Sequence, residues 1–119
     1  MRVIIAGSRT ITDPLEVEKA INDSGFQITE VISGGAQGVD SLGAAWANAH
    51  AIPCTFFFAE WEAYGKAAGP IRNSEMAASA DALILVYDGK SRGSADMLMK
   101  ANAKGLKIHL HLVKQEEPK

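Results

Sequence analysis

Ser33-Gly34-Gly35-Ala36-Gln37-Gly38-Val39-Asp40 is a glycine-rich turn between an apolar, β-branched run and a segment with helical spacing. Glycines so placed let backbone N–H groups converge on an anion, and a helix opening at the turn adds unpaired amides and the positive end of its dipole. The chemistry this suggests is phosphate binding by Ser33, Gly34, Gly35, Gly38 and the helix start at Val39; an empty tight turn is the plainer alternative. Three more loops of small and polar residues follow strand-like runs. Gly7-Ser8-Arg9 follows residues 3–6, the segment 61–73 follows residues 55–58, and Asp88-Gly89-Lys90-Ser91-Arg92-Gly93 follows residues 82–87.

Each polar residue in these loops has a task it could perform. Ser8 and Arg9 offer a hydroxyl and a guanidinium to hold a phosphate or orient a ribose. Arg9, Lys66, Arg72, Lys90 and Arg92 concentrate positive charge on one edge, and solvation or pairing with Glu60, Glu62, Glu75 and Asp88 would also account for them. Arg72 stands out within Gly69-Pro70-Ile71-Arg72-Asn73, where the proline should set a helix start. Trp61 and Tyr64 could stack on a base or form a lid, or simply pack the loop base. Asp40 and Asp88 suit ribose hydroxyls or water activation, although a first-turn acid at Asp40 is explained by the helix dipole alone. Together with Glu75 they are the candidates for the general base of a hydrolase. His109 and His111 alternate on the last strand, and a solvated edge face is the expectation there; no metal site is expected.

Composition restricts the partners. The chain has 119 residues, 47% hydrophobic, which suits one domain over residues 1–114 followed by a short charged tail at 115–119. A net charge of -2 gives no general attraction to nucleic acid or membrane, so neither is expected as a partner and anion binding must be local. The single cysteine, Cys54, rules out an internal disulfide and fits the cytoplasm, as does the lack of an apolar run of signal or membrane-spanning length.

The elements that must position these residues alternate strand and helix. Strands are expected at residues 3–6, 28–33, 52–58, 82–87 and 106–113. Helices are expected from Asp13-Pro14 to Gly25, over 39–50 with Ala44, Ala45, Ala47 and Ala49 allowing close approach to a sheet, over 71–79, and over 94–104. Near-continuous apolar strands such as Ala82-Leu83-Ile84-Leu85-Val86 call for a parallel sheet covered on both faces. Right-handed crossovers then give a doubly wound, three-layer α/β fold with five strands in the order 3-2-1-4-5. Its switch point lies between the first and fourth strands, beside Gly7-Ser8-Arg9 and the loop 88–93.

Taken together, the four loops, including Gly65-Lys66-Ala67-Ala68-Gly69-Pro70-Ile71-Arg72-Asn73 with Met76, resemble the SLOG superfamily. That Rossmann-like group joins DNA-processing protein A with the LOG nucleotide phosphoribohydrolases, and the likeness is to its compact, YspA-like branch of bacteria and phages. The resemblance implies binding of a nucleotide or nucleotide-derived ligand, such as AMP, ADP-ribose or an NAD-like molecule, in a sensing or processing role, and a homo-oligomer. LOG hydrolases carry Pro-Gly-Gly-x-Gly-Thr-x-x-Glu; here two residues separate Gly35 from Gly38, Val39 replaces the threonine and no glutamate follows in the helix. The DNA-processing proteins share the Gly-Ser-Arg and Ser-Gly-x-Ala-x-Gly-x-Asp style of motif but use a more basic surface to bind single-stranded DNA.

Overall fold

Strand β1 (Arg2–Gly7) is flanked by β2 (Glu30–Ser33) and β4 (Ala82–Tyr87), with β3 (Cys54–Phe56) and β5 (Lys107–Leu112) at the edges. All neighbours are parallel, giving the order β3-β2-β1-β4-β5 in a computed structural model that describes residues 1–114. The expected tail at 115–119 lies outside the described residues. The central strands are buried on both faces, and their side chains alternate between two cores. Val3, Ile5, Val31, Ile84 and Val86 pack with Val17, Ala20 and Ile21 of helix α1 (Pro14–Ser24) and with Val39 and Ala47 of α2 (Val39–Ala49). Ile4, Ala6, Ile32, Leu83 and Leu85 meet Met76 and Ala77 of α4 (Ala68–Ser79) and Met97 and Ala101 of α5 (Arg92–Ala103). The period-two alternation of the strands therefore builds three layers, the chain passing to the second face after β3 and the strand order reversing between β1 and β4.

Local signals explain most helix ends. Asp13 accepts a hydrogen bond from the Leu15 amide at 3.0 Å, Pro14 opens α1, and Gly25 closes it at φ 67°. In α2 the buried stripe is Val39, Asp40, Gly43 and Ala47, whereas Ala45 and Ala49 are exposed. The four-residue helical spacing, not the run of alanines, selects the face against the sheet.

Several boundaries differ from the sequence expectation. The segment after β3 is not a loop: α3 (Trp61–Tyr64) and a 3₁₀ turn (Gly65–Ala67) lead into α4, which starts at Ala68 instead of residue 71. Pro70 is the third residue of α4, where first-turn amides have no helical acceptor, so proline removes no bond. Helix α5 likewise begins two residues early, because Ser91 is its N-cap and accepts from the Ser94 amide at 3.3 Å. His111 is not on a solvated face: its Nε2 lies 2.7 Å from Glu16 Oε2 of α1, with the side chain 13% exposed. Among the described residues, no helix is long and apolar enough to cross a membrane.

Candidate functional site

A cavity of about 470 Å³ opens at the carboxyl end of the sheet, between the segments that leave β1, β2, β3 and β4. Ala6, Met76 and Met97 give it an apolar floor, and Trp61, itself 50% exposed, stands at its rim. Arg9, Lys66, Arg72 and Arg92 line it, against the carboxylates of Asp40 and Asp96. Asp96 is already engaged, accepting from Lys100 Nζ at 2.8 Å and from Asn73 Nδ2 at 2.9 Å, so the wall is cationic on balance. A second cavity of about 460 Å³ adjoins the first and is lined by Gly34, Gly35, Gln37 and Phe58. Arg9, Ala36, Trp61 and Arg72 line both and form the waist between them.

Arg72 is the best-anchored cation. Its position in the first turns of α4 lets Nη1 reach the Gly34 carbonyl at 2.7 Å and the Phe57 carbonyl at 3.4 Å, while Nε donates to Asn73 Oδ1 at 3.0 Å. Gly34 is required for this approach, since a Cβ there would overlap the guanidinium. By contrast, no hydrogen bond holds the exposed Arg9 guanidinium among the described residues. Partial burial pulls the Arg72 pKa below its ordinary value, opposed by the nearby Asp40 charge.

The glycine-rich turn is occupied by its own side chains. The Gly35 amide donates to Ser33 Oγ at 3.1 Å, the Ala36 amide to Asp40 Oδ2 at 3.2 Å, and the Val39 amide to the Ser8 carbonyl at 3.3 Å. Val39 is fully buried in the core and Ser33 is buried with its hydroxyl on the Asp40 carbonyl, so neither faces the cavity. Asp40 thus sits where an anion would at the start of α2, for the dipole reason that also makes such sites attractive to phosphate. The start of α5 is more open: Arg92 and Gly93 lie in its first turn, whose amides have no helical acceptor, and both line the larger cavity.

Of the other residues singled out from sequence, Gly7 and Asn73 also line the larger cavity and Gly38 caps α2. Ser8 is buried beneath the site, its hydroxyl accepting from the Asp88 amide at 3.0 Å. Asp88 instead shapes its own loop, with Oδ1 accepting from the Lys90 amide at 2.8 Å and the Ser91 amide at 3.0 Å; these bonds, the Lys90 amide foremost, hold its pKa low. Asp88, Lys90, Glu75 and Tyr64 line neither cavity, and Glu75 and Tyr64 are exposed on their helices. Sequence reasoning missed Asp96, Met97 and Phe58. The Asp96–Lys100 spacing of one helical turn was the available signal for the first.

Asp40 is 5% exposed, and this burial raises its pKa against the Ala36 amide, Arg72, Arg9 and the Gly7 amide, which all favour the ionised form. A carboxyl whose folded pKa is raised binds its proton more tightly than in the unfolded chain. Its contribution is therefore fully present below the unfolded value and is lost as pH rises through the folded one. Asp40→Asn should accordingly gain stability relative to the parent as pH rises from 4 to 7, measured by urea unfolding at each pH; an unchanging difference would contradict it.

The arrangement is that of a Rossmann-like α/β protein whose cleft lies at the topological switch point. A model of the YspA, cpYpsA-related SLOG family matches residues 1–64, and the chain belongs to that family. It is 32% identical over 117 residues to the Gene 61 protein of Mycobacterium phage D29, covering 90% of this chain and 93% of the phage protein. Among solved structures it is similar to DNA processing protein A (DprA) from Streptococcus pneumoniae, with a TM-score of 0.69 and 19% identity over 90% of this chain. The chain spans about half of that structure, 48% of its length, and the likeness is one of fold.

Proposed function

We propose that the chain binds a nucleotide or nucleotide-derived ligand in the cleft at the carboxyl end of its sheet, in a sensing or processing role. The observation that carries this is the cavity itself: an apolar floor wide enough for a base, below a wall with four basic side chains and two carboxylates. Arg9 and Arg72 neutralise the phosphate, the first-turn amides of α5 donate to it, and Met76, Met97 and Trp61 cover the base. Asp40 is left to the ribose hydroxyls. Thermal melts with AMP, ADP-ribose, NAD and cyclic nucleotides test this, since ligand at ~100 times its dissociation constant adds about 2.7 kcal/mol. No shift with any of them would refute it. Arg9→Ala should weaken the best ligand about tenfold and leave the unliganded stability within ~0.5 kcal/mol, because its exposed guanidinium makes no hydrogen bond among the described residues and acts on Asp40 and Arg72 in opposite senses.

A hydrolase acting on the N-glycosidic or phosphate bond of the same ligand is a second reading, favoured by one observation. Of the three carboxylates considered from sequence, only Asp40 reaches the cavity, and its raised pKa suits proton transfer. Chromatography of incubated nucleotides decides it, release that disappears in Asp40→Asn being the expected result.

The fold likeness to a DNA processing protein supports a third reading, single-stranded DNA binding, which a salt-dependent gel shift tests. A cytoplasmic location is part of the proposal and is supported by the lone cysteine. A homo-oligomer is also part of it, supported by the exposed Met99, Leu110 and Leu112 beside the free edge of β5, and sedimentation would measure it.

A further inference from the structure

The cleft is double: one half has the methionine floor, the other is walled by the glycine-rich turn and Phe58, and both open on the same cationic waist. Each cavity is about the same size, each has an aromatic side chain in its wall, and the two share a waist lined by Arg9 and Arg72. A mononucleotide seated in one half with its phosphate at the waist would leave the other half empty. From this we infer that the ligand is bipartite: two nucleosides joined through phosphate, with the linkage at the arginine waist and one base in each cavity. The inference rests on the nucleotide-binding reading above and specifies its substrate class.

The second cavity supplies an independent reason. Phe58 is 66% exposed and Phe56 45%, and their rings are 5.5 Å apart and only 5° from parallel. The two rings are stacked, Phe58 lines the second cavity next to the cationic waist, and the side-chain-free Gly35 lets the Phe58 ring lie against the backbone of the 33–40 turn. A planar base stacking on Phe58 would cover part of that exposed area, a sequence-tolerant contact. Neither Phe56 nor Phe58 packs against either core, although Phe57 between them does.

The test compares, by calorimetry on the full chain, a 5′-mononucleotide of each base with the corresponding pyrophosphate-bridged dinucleotide and with the 3′–5′-linked dinucleoside monophosphate. One of the two linked ligands should bind at least about tenfold more tightly than its mononucleotide, and Phe58→Ala should bring that ratio close to one. Phe58 is exposed, so the variant should fold as the parent does. The arm that gains affinity identifies the source: the pyrophosphate for a free dinucleotide, the 3′–5′ linkage for adjacent residues of a strand. Equal affinities for linked and single nucleotides, or a ratio untouched by Phe58→Ala, would overturn the bipartite ligand while leaving nucleotide binding intact. Failure of every mononucleotide and linked ligand to bind would remove both.

Discussion

Gly38→Ala is expected to lower stability by about 4 kcal/mol, with the urea midpoint falling and the slope unchanged. Gly38 has φ 75° and ψ −128° at the start of α2, a conformation that costs an L residue about 1–3 kcal/mol. The added Cβ would also lie 2.5 Å from the Ser8 carbonyl oxygen and 2.6 Å from that of Arg9. Both obstacles are backbone, so the loop after β1 would have to move, and overpacking of this kind adds about 1–3 kcal/mol more. The same movement would draw Arg9 out of the cleft, so any remaining folded protein should lose ligand affinity as well. A loss below ~1 kcal/mol would show that the β1 loop yields easily and that the cleft has no fixed base.

Arg72→Ala should produce the largest combined effect on folding and binding. The substitution strips the Gly34 and Phe57 carbonyls of a charged donor and leaves the buried Asp40 carboxylate with only Arg9, the weaker-acting of its two cations. Hydrogen bonds to charged groups contribute about 1.5–3 kcal/mol each way, so a stability loss of about 2–3 kcal/mol and a fall in ligand affinity of roughly 100-fold are expected. Arg9→Ala, which releases no internal bond, should affect binding alone. Arg72→Lys retains the charge but not the planar fork, and should recover only part of either loss. Adding Asp40→Asn to Arg72→Ala should restore part of the stability, because the two groups are coupled in one cycle. Strict additivity would mean that Arg72 acts only through the carbonyls it holds.

The sheet order could be read from the sequence because it depends on long-range but simple constraints. Buried, near-continuous apolar runs such as Val3-Ile4-Ile5 and Leu83-Ile84-Leu85 can only be central, and right-handed crossovers leave few topologies. The Asp13-Pro14 start and Gly25 end of α1 were equally legible, since capping is local. The start of α4 was not, because a proline is accommodated at any of the first-turn positions. The cleft was legible as a set of segments but not as a set of contacts. Glycine spacing identifies a turn able to bind an anion, yet it does not reveal that Ser33, Asp40 and the Ser8 carbonyl already take the amides of that turn. Nor could the chain order of residues 16 and 111 suggest that α1 and β5 place Glu16 against His111.

Ser8 has a consequence for how the molecule can drift over generations. Its amide donates to the Val86 carbonyl, its hydroxyl accepts from the Asp88 amide, and its carbonyl receives the amides of both Ile11 and Val39. One small residue thus joins the exits of two strands to the beginning of a helix, like a rivet through three plates. Only the hydroxyl link belongs to the side chain, so Ser8→Ala would release the Asp88 amide while the backbone links persist, and ligand lost in that protein would report a shifted 88–93 segment and not a severed contact. Inherited variety in this lineage should accordingly gather at positions such as Glu62, Ala63 and Tyr64, which are exposed, line neither cavity and tie no elements together.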